Sequence, residues 1–208
     1  MKKMSYTSTC IAAATLLTAL AACDSEAKLA REVTGTWAST PEKLIDSDAL
    51  SAATIHMIQF TPSLSDNKSG DLQMTELISV TNAVQTDTIS ILEPYSVSAA
   101  GLATLNGSWA VIDDDEISLH LDESTLDVSI DPDATLLSIN ELTNATTTSV
   151  DSLKPIVTAN LKRQITQLVK NRIFDINKID DIKITGNLMS CEINRRDITF
   201  RRQDSVIK

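Results

Sequence analysis

Histidine occurs only twice in this chain of 208 residues, as His56 and His120, and neither sits in a recognisable motif. A nucleophilic triad needs Ser or Cys beside a His and an acid, and a transition-metal site needs clustered His and Cys. Two isolated imidazoles offer neither, so each reads as a sheet or surface residue. Aromatic residues make up 3% of the chain, which leaves few rings for nucleic-acid bases to stack on. No glycine-rich phosphate loop or dinucleotide fingerprint is present. Asp113-Asp114-Asp115-Glu116 lacks the spaced Asp-x-Asp-x-Asp-Gly order of a calcium loop and reads as a solvated turn. The longest apolar run, Cys10 to Leu20, is about eleven residues, short of the roughly twenty that span a bilayer as a helix. The expectation is a non-enzymatic protein with no catalytic residue, metal site, cofactor or nucleic-acid partner.

What is present begins at the N-terminus. Lys2 and Lys3 precede the apolar run, which ends in small residues, the three-part order of a secretory signal peptide. Leu20-Ala21-Ala22-Cys23 resembles the lipobox of bacterial lipoproteins. The resemblance implies cleavage after Ala22, lipidation of Cys23 and stable attachment to a membrane, since stable anchoring takes more than one acyl chain. It places the protein in the bacterial cell envelope. Asp24-Ser25-Glu26 reads as inner-membrane retention under one sorting scheme and as export under another; the outer membrane is the reading favoured here. The organisation expected is a signal peptide over 1–22, a flexible tether over 23–32 and one domain over 33–208. Cys10 leaves with the leader and Cys23 takes the lipid, so only Cys191 remains in the body and no internal disulfide can form. Cys191 alternates with Met189 and Ile193 and reads as a small buried residue.

Charge is unevenly spread. From Cys23 to Val150 there are 21 acidic against 4 basic residues, a net of −17, whereas Asp151 to Lys208 carries 7 against 12, a net of +5. The two parts attract each other, and the reading favoured over a basic partner is an acidic, solubilising surface completed by a basic C-terminal segment.

Period-two alternation dominates the body. Thr54 to Thr61 is rich in β-branched and aromatic residues and stops at Pro62, and the turn cluster Ser65 to Asp71 follows. Leu72, Met74, Ile78 and Val80 share a parity that Glu76 interrupts. Further strands are expected over Thr86–Leu92, Gly101–Ile112 and Ala134–Leu142, with a loop and short helix around Pro41 to Leu44. Ile117, Leu119 and Leu121, then Leu126, Val128 and Ile130, predict a hairpin turning at Asp122 to Thr125. Ser152 to Phe174 carries Val157, Leu161, Ile165, Leu168, Val169 and Ile173 at steps of three and four residues, with Ser152 as cap and Pro155 in the first turn. Asp180–Thr185, Leu188–Ile193 and Ile198–Arg202 return to strands. The fold class is mainly β: an antiparallel barrel of about 8–10 strands with one amphipathic α-helix inserted near the C-terminus.

Gly35-Thr36-Trp37 and Gly107-Ser108-Trp109 resemble the Gly-x-Trp strand openings of lipocalin-like domains found in many bacterial lipoproteins. The resemblance implies that Trp37 plugs one end of the barrel and that a late Arg packs over it. By parity with Ile198 and Phe200 that Arg is Arg202, with Arg201 in reserve. It further implies a small apolar or amphiphilic ligand, or a place as an envelope accessory subunit. The alternative is a packed scaffold that docks a protein partner through its basic helix or acidic surface.

Overall fold

The computed structural model describes residues 25–46, 51–85, 95–139, 147–173 and 175–203. Within these residues the order is α1 (25–33), β1 (Gly35–Ser39), β2 (Glu42–Asp46), β3 (Ser51–Pro62), β4 (Ser69–Gln85), β5 (Tyr95–Val111), β6 (Ile117–Leu121), β7 (Asp127–Ile130), β8 (Leu136–Ile139), α2 (Thr147–Ile173), β9 (Lys178–Thr185), β10 (Leu188–Ile193) and β11 (Arg196–Gln203). Following hydrogen-bonded neighbours from β1 leads through β11, β10, β9, β6, β5, β4 and β3, and β3 pairs with β1 again. Eight antiparallel strands therefore close on themselves in a lipocalin-like barrel, and closure removes the exposed edges that an open sheet would present. The leader, Cys23 and the strand expected over Thr86–Leu92 lie outside the described residues, as does Phe174.

Alternation sorts the side chains as the sequence predicts. In β4, Leu72, Met74, Ile78 and Val80 are buried inside the barrel, while Gln73, Leu77 and Ser79 face out. Glu76 follows the inward parity and is buried as well, so the interruption in the apolar pattern is a carboxylate inside the barrel. Trp109 and Phe60 meet edge to face at 5.6 Å across the core, an arrangement aromatic rings prefer.

Four expectations are corrected. β6 and β7 do not form a hairpin with each other. Both pair with β5, and so does β8, so the three run end to end along its 17 residues. Paired positions sum to 228 for Gly107 with Leu121, to 231 for Gly101 with Ile130 and to 234 for Ser98 with Leu136. Each break thus inserts three residues. The first break is the 3-10 turn Glu123–Thr125, capped by the Asp122 carboxylate accepting from the Ser124 amide. Period two reports which side faces the core and is silent about which strand lies alongside. Next, residues 42–46 form a strand, not a short helix; pairing with the first residues of β3, with a bulge between Lys43 and Ile45, overrides local preference.

The tether expected over 23–32 is the third correction, because residues 25–33 form α1. Leu29, Ala30 and Val33 are buried, positions that share one helical face. Glu26 also pairs with Lys68 of the β3–β4 turn at 2.6 Å. Three apolar residues are too few to stand out as a periodic signal, yet they suffice to dock the helix.

α2 begins five residues earlier than expected, so Pro155 lies inside the helix and not in its first turn. Its missing N–H removes one intrahelical hydrogen bond. Val157, Leu161, Ile165, Val169 and Ile173 recur every four residues and are all buried, packing the helix on β5, β7 and β8. At Gly101 an added Cβ would lie 3.3 Å from the Ile165 Cδ1, so this glycine lets the helix approach the sheet closely.

Candidate functional site

One end of the barrel is closed by residues from its two termini. The Arg202 guanidinium lies over the Trp37 ring at 4.2 Å from the centroid. It donates to the Thr34 carbonyl at 2.6 Å and to the Glu32 carbonyl at 2.5 Å, and the Trp37 indole N–H donates to the Val33 carbonyl at 2.6 Å. The last carbonyls of a helix lack partners within it, so Trp37 and Arg202 together cap α1, with the positive charge at the favourable end of its dipole. Gly35 has φ +118°, and an added Cβ would stand 3.0 Å from the Arg202 Nη1. Both the backbone conformation and the passage of the guanidinium require glycine there. Arg201 is exposed on the opposite face. Trp109 is buried, and its indole N–H donates to the Thr61 carbonyl at 3.3 Å.

The other end is open. β11 runs from Arg196 to Gln203, so at about 3.3 Å per residue Arg196 stands roughly 20 Å from Arg202. There, beneath the last turn of α2, lies a cavity of about 240 Å³. With liquid water taking about 30 Å³ per molecule, that is room for roughly eight waters, below the 300 Å³ or so at which pockets for drug-sized ligands begin. Its floor is apolar: Ile58, Met74, Ile193, Ile198 and Phe200. Glu42, His56, Asn171, Arg172 and Arg196 make its mouth polar, with Asp175 exposed at the rim and Glu76 buried behind His56.

The mouth is one connected network. Glu76 accepts from the Thr54 hydroxyl at 3.0 Å and bonds His56 Nδ1 at 2.6 Å. His56 Nε2 meets the Glu42 carboxylate at 3.1 Å, and Glu42 also accepts from Arg172 at 3.2 Å and from Arg196 at 3.1 Å. With a carboxylate on each ring nitrogen, both nitrogens serve best as donors, which is the imidazolium form. Burial works against that charge. Hydrogen bonds to Glu76 and Glu42 and the Glu76 charge outweigh both burial and the repulsion from Arg172, and the His56 pKa is raised. For Glu42, burial raises the pKa, but His56 and Arg172 outweigh it and the carboxyl is held below its ordinary value.

The two carboxylates lie at opposite nitrogens of one ring and do not converge on a common point; among the described residues no group of three or more His, Cys, Asp and Glu could hold a metal ion. Cys191 is buried, and desolvation followed by the Asp197 charge pushes its thiol up to about 12, so it stays protonated near neutral pH. His120 is exposed on β6, as are Asp113, Asp114 and Asp115 in the turn before it, while Glu116 pairs with Lys178 at 3.4 Å. Among the described residues no helix is long and apolar enough to cross a membrane. Ala22 and Cys23 fall outside those residues.

No model of a known protein family matches this chain, and no curated protein does. Two signals for the site were present in the sequence: Glu76 on the buried parity of β4, and His56 on the parity of Thr54, Ile58 and Phe60 in β3. Both point into the barrel. Arg172 and Arg196 carried no such signal, because they reach Glu42 from 130 and 154 positions away.

Proposed function

We propose that this chain is a lipid-anchored lipoprotein of the bacterial envelope, on the outer membrane, whose barrel binds a small apolar or amphiphilic ligand and catalyses no reaction. The observation that carries the ligand reading is the cavity, with an apolar floor and a charged mouth inside an eight-stranded barrel. Barrels of eight strands are just wide enough to be filled by side chains or to hold one small ligand. The anchor reading rests on the leader and on Leu20-Ala21-Ala22-Cys23. The described part of α1, residues 25–33, packs on the closed end, with Glu26 tied to Lys68. An anchor at Cys23 holds the closed end against the bilayer and leaves the cavity mouth facing away from it.

Native mass spectrometry of the body purified without lipid at Cys23 tests the ligand reading. A mass excess corresponding to one small molecule, lost on gentle activation, is the expected result. A bare mass from every expression condition, together with no uptake of added amphiphiles, overturns it. A packed scaffold is the second reading, supported by the outward cross-strand pair Leu77 and Leu102, which are 42% and 37% exposed on the barrel exterior.

A further inference from the structure

We infer that the cavity mouth is a carboxylate-binding site occupied by the protein's own Glu42, and that the amphiphile it admits carries an anionic carboxylate head that displaces this side chain. The inference rests on the ligand reading above and specifies the ligand's polarity.

Three cationic donors converge on the single carboxylate of Glu42: His56 and Arg172 on one oxygen and Arg196 on the other. His56 has an anchor besides Glu42. His56 is held from behind by Glu76, which Thr54 fixes in turn. Arg172 stands on the last turn of α2, and Arg196 follows the two-residue hairpin loop Asn194–Arg195, whose φ of 50° and 62° are those that a tight hairpin turn uses. Three separate elements, β3, α2 and β11, thus bring their donors to one carboxylate.

Glu42, by contrast, is the member easiest to move. It opens the five-residue strand β2, which pairs with β3 and bulges just beyond Lys43. Its side chain is 35% exposed, against 4% for Glu76. In place, the Glu42 carboxylate is shared by the Arg172 and Arg196 guanidiniums, one on each oxygen. With Glu42 swung out to solvent both guanidiniums lose that carboxylate above an apolar floor. A carboxylate takes its place and suits the planar guanidinium forks; an ammonium head would meet three cations; a neutral head would leave the guanidiniums unmet.

The test uses octanoate, octanol and octylammonium as probes, titrated calorimetrically into the full chain bearing Cys23→Ala, which removes the acylation point. Octanoate is expected to bind tightest and octylammonium weakest. Glu42→Gln should strengthen octanoate binding about three- to tenfold while moving octanol by less than about twofold, since removing the internal competitor acts only on an anionic head. Arg172→Gln and Arg196→Gln should weaken octanoate by a similar factor and spare octanol. Arg196 is well exposed, so its variant tests the site even if Arg172→Gln proves unstable. Octanol binding as well as octanoate, with Glu42→Gln neutral or harmful, overturns the carboxylate assignment and leaves the ligand reading standing. Failure of all three probes to bind overturns both.

Discussion

Replacing Arg202 by Ala removes the piece that joins the last strand to the first helix, and its cost follows from three contacts. The guanidinium sits 4.2 Å from the Trp37 centroid, a cation–π contact worth about 1 kcal/mol. It also donates to the carbonyls of Glu32 and Thr34, and a hydrogen bond from a charged group contributes about 1.5 kcal/mol or more. Arg202 is partly exposed, so solvent screening lowers the total of roughly 4 kcal/mol to about 3 kcal/mol. In a body of this size that lowers Tm by roughly 6–12 °C. Urea unfolding should show a lower midpoint with an unchanged slope. Arg202→Lys keeps the charge but loses the fork that reaches two carbonyls at once, and should give about half the loss. A loss below about 1 kcal/mol for Ala, or a Lys variant as stable as the parent, would refute the capping of α1 by Arg202.

Other outcomes follow from the buried charges and close backbone approaches. His56→Leu and Glu76→Met should each cost about 3 kcal/mol by leaving a partner uncompensated, while the double variant should be close to the parent, as replacement of buried ion pairs by apolar residues often is; a double variant as unstable as the sum of the singles would contradict this. Because the His56 pKa is raised on folding, its contribution is complete below about pH 6.5 and is lost as pH rises through the folded value. Glu42, lowered by the same network, contributes above its ordinary range near pH 4.5 and is lost as pH falls through the folded value. Stability against urea should therefore peak between these limits, and His56→Gln should flatten the alkaline side. Gly107→Ala should be severely destabilising, since its Cβ would meet the His120 carbonyl at 2.4 Å and force β5 from β6, whereas at Gly101 an added Cβ meets the side-chain tips of Ile130 and Ile165 and the Ser129 carbonyl at 3.0 to 3.3 Å and should cost about 1–2 kcal/mol. Thermal melts of the two variants check the contrast.

Much of the barrel was legible because its strands are buried on one side only. Ile117, Leu119, Val128 and Ile130 announce their facing correctly even though their partner was misread, since facing is local and pairing is not. α2 was visible through its five-residue apolar stripe. α1 was not, because Leu29, Ala30 and Val33 gain a core only when Trp37 and Arg202 close around them. The cavity was half legible. Glu76 and His56 mark themselves by polarity on a buried parity, but Arg172 and Arg196 join them only through the placement of α2 and the β10–β11 turn, which no short-range pattern encodes.

Whether the cavity is where a ligand sits can be measured directly by titrating octanol into methyl-labelled protein and following side-chain resonances. Saturable shifts confined to the methyl groups of Ile58, Met74, Ile193 and Ile198, with Leu77 and Leu102 on the exterior unmoved, are the expected result. Shifts centred on Leu77 and Leu102, or no saturable shift in the cavity floor, would contradict binding inside the barrel.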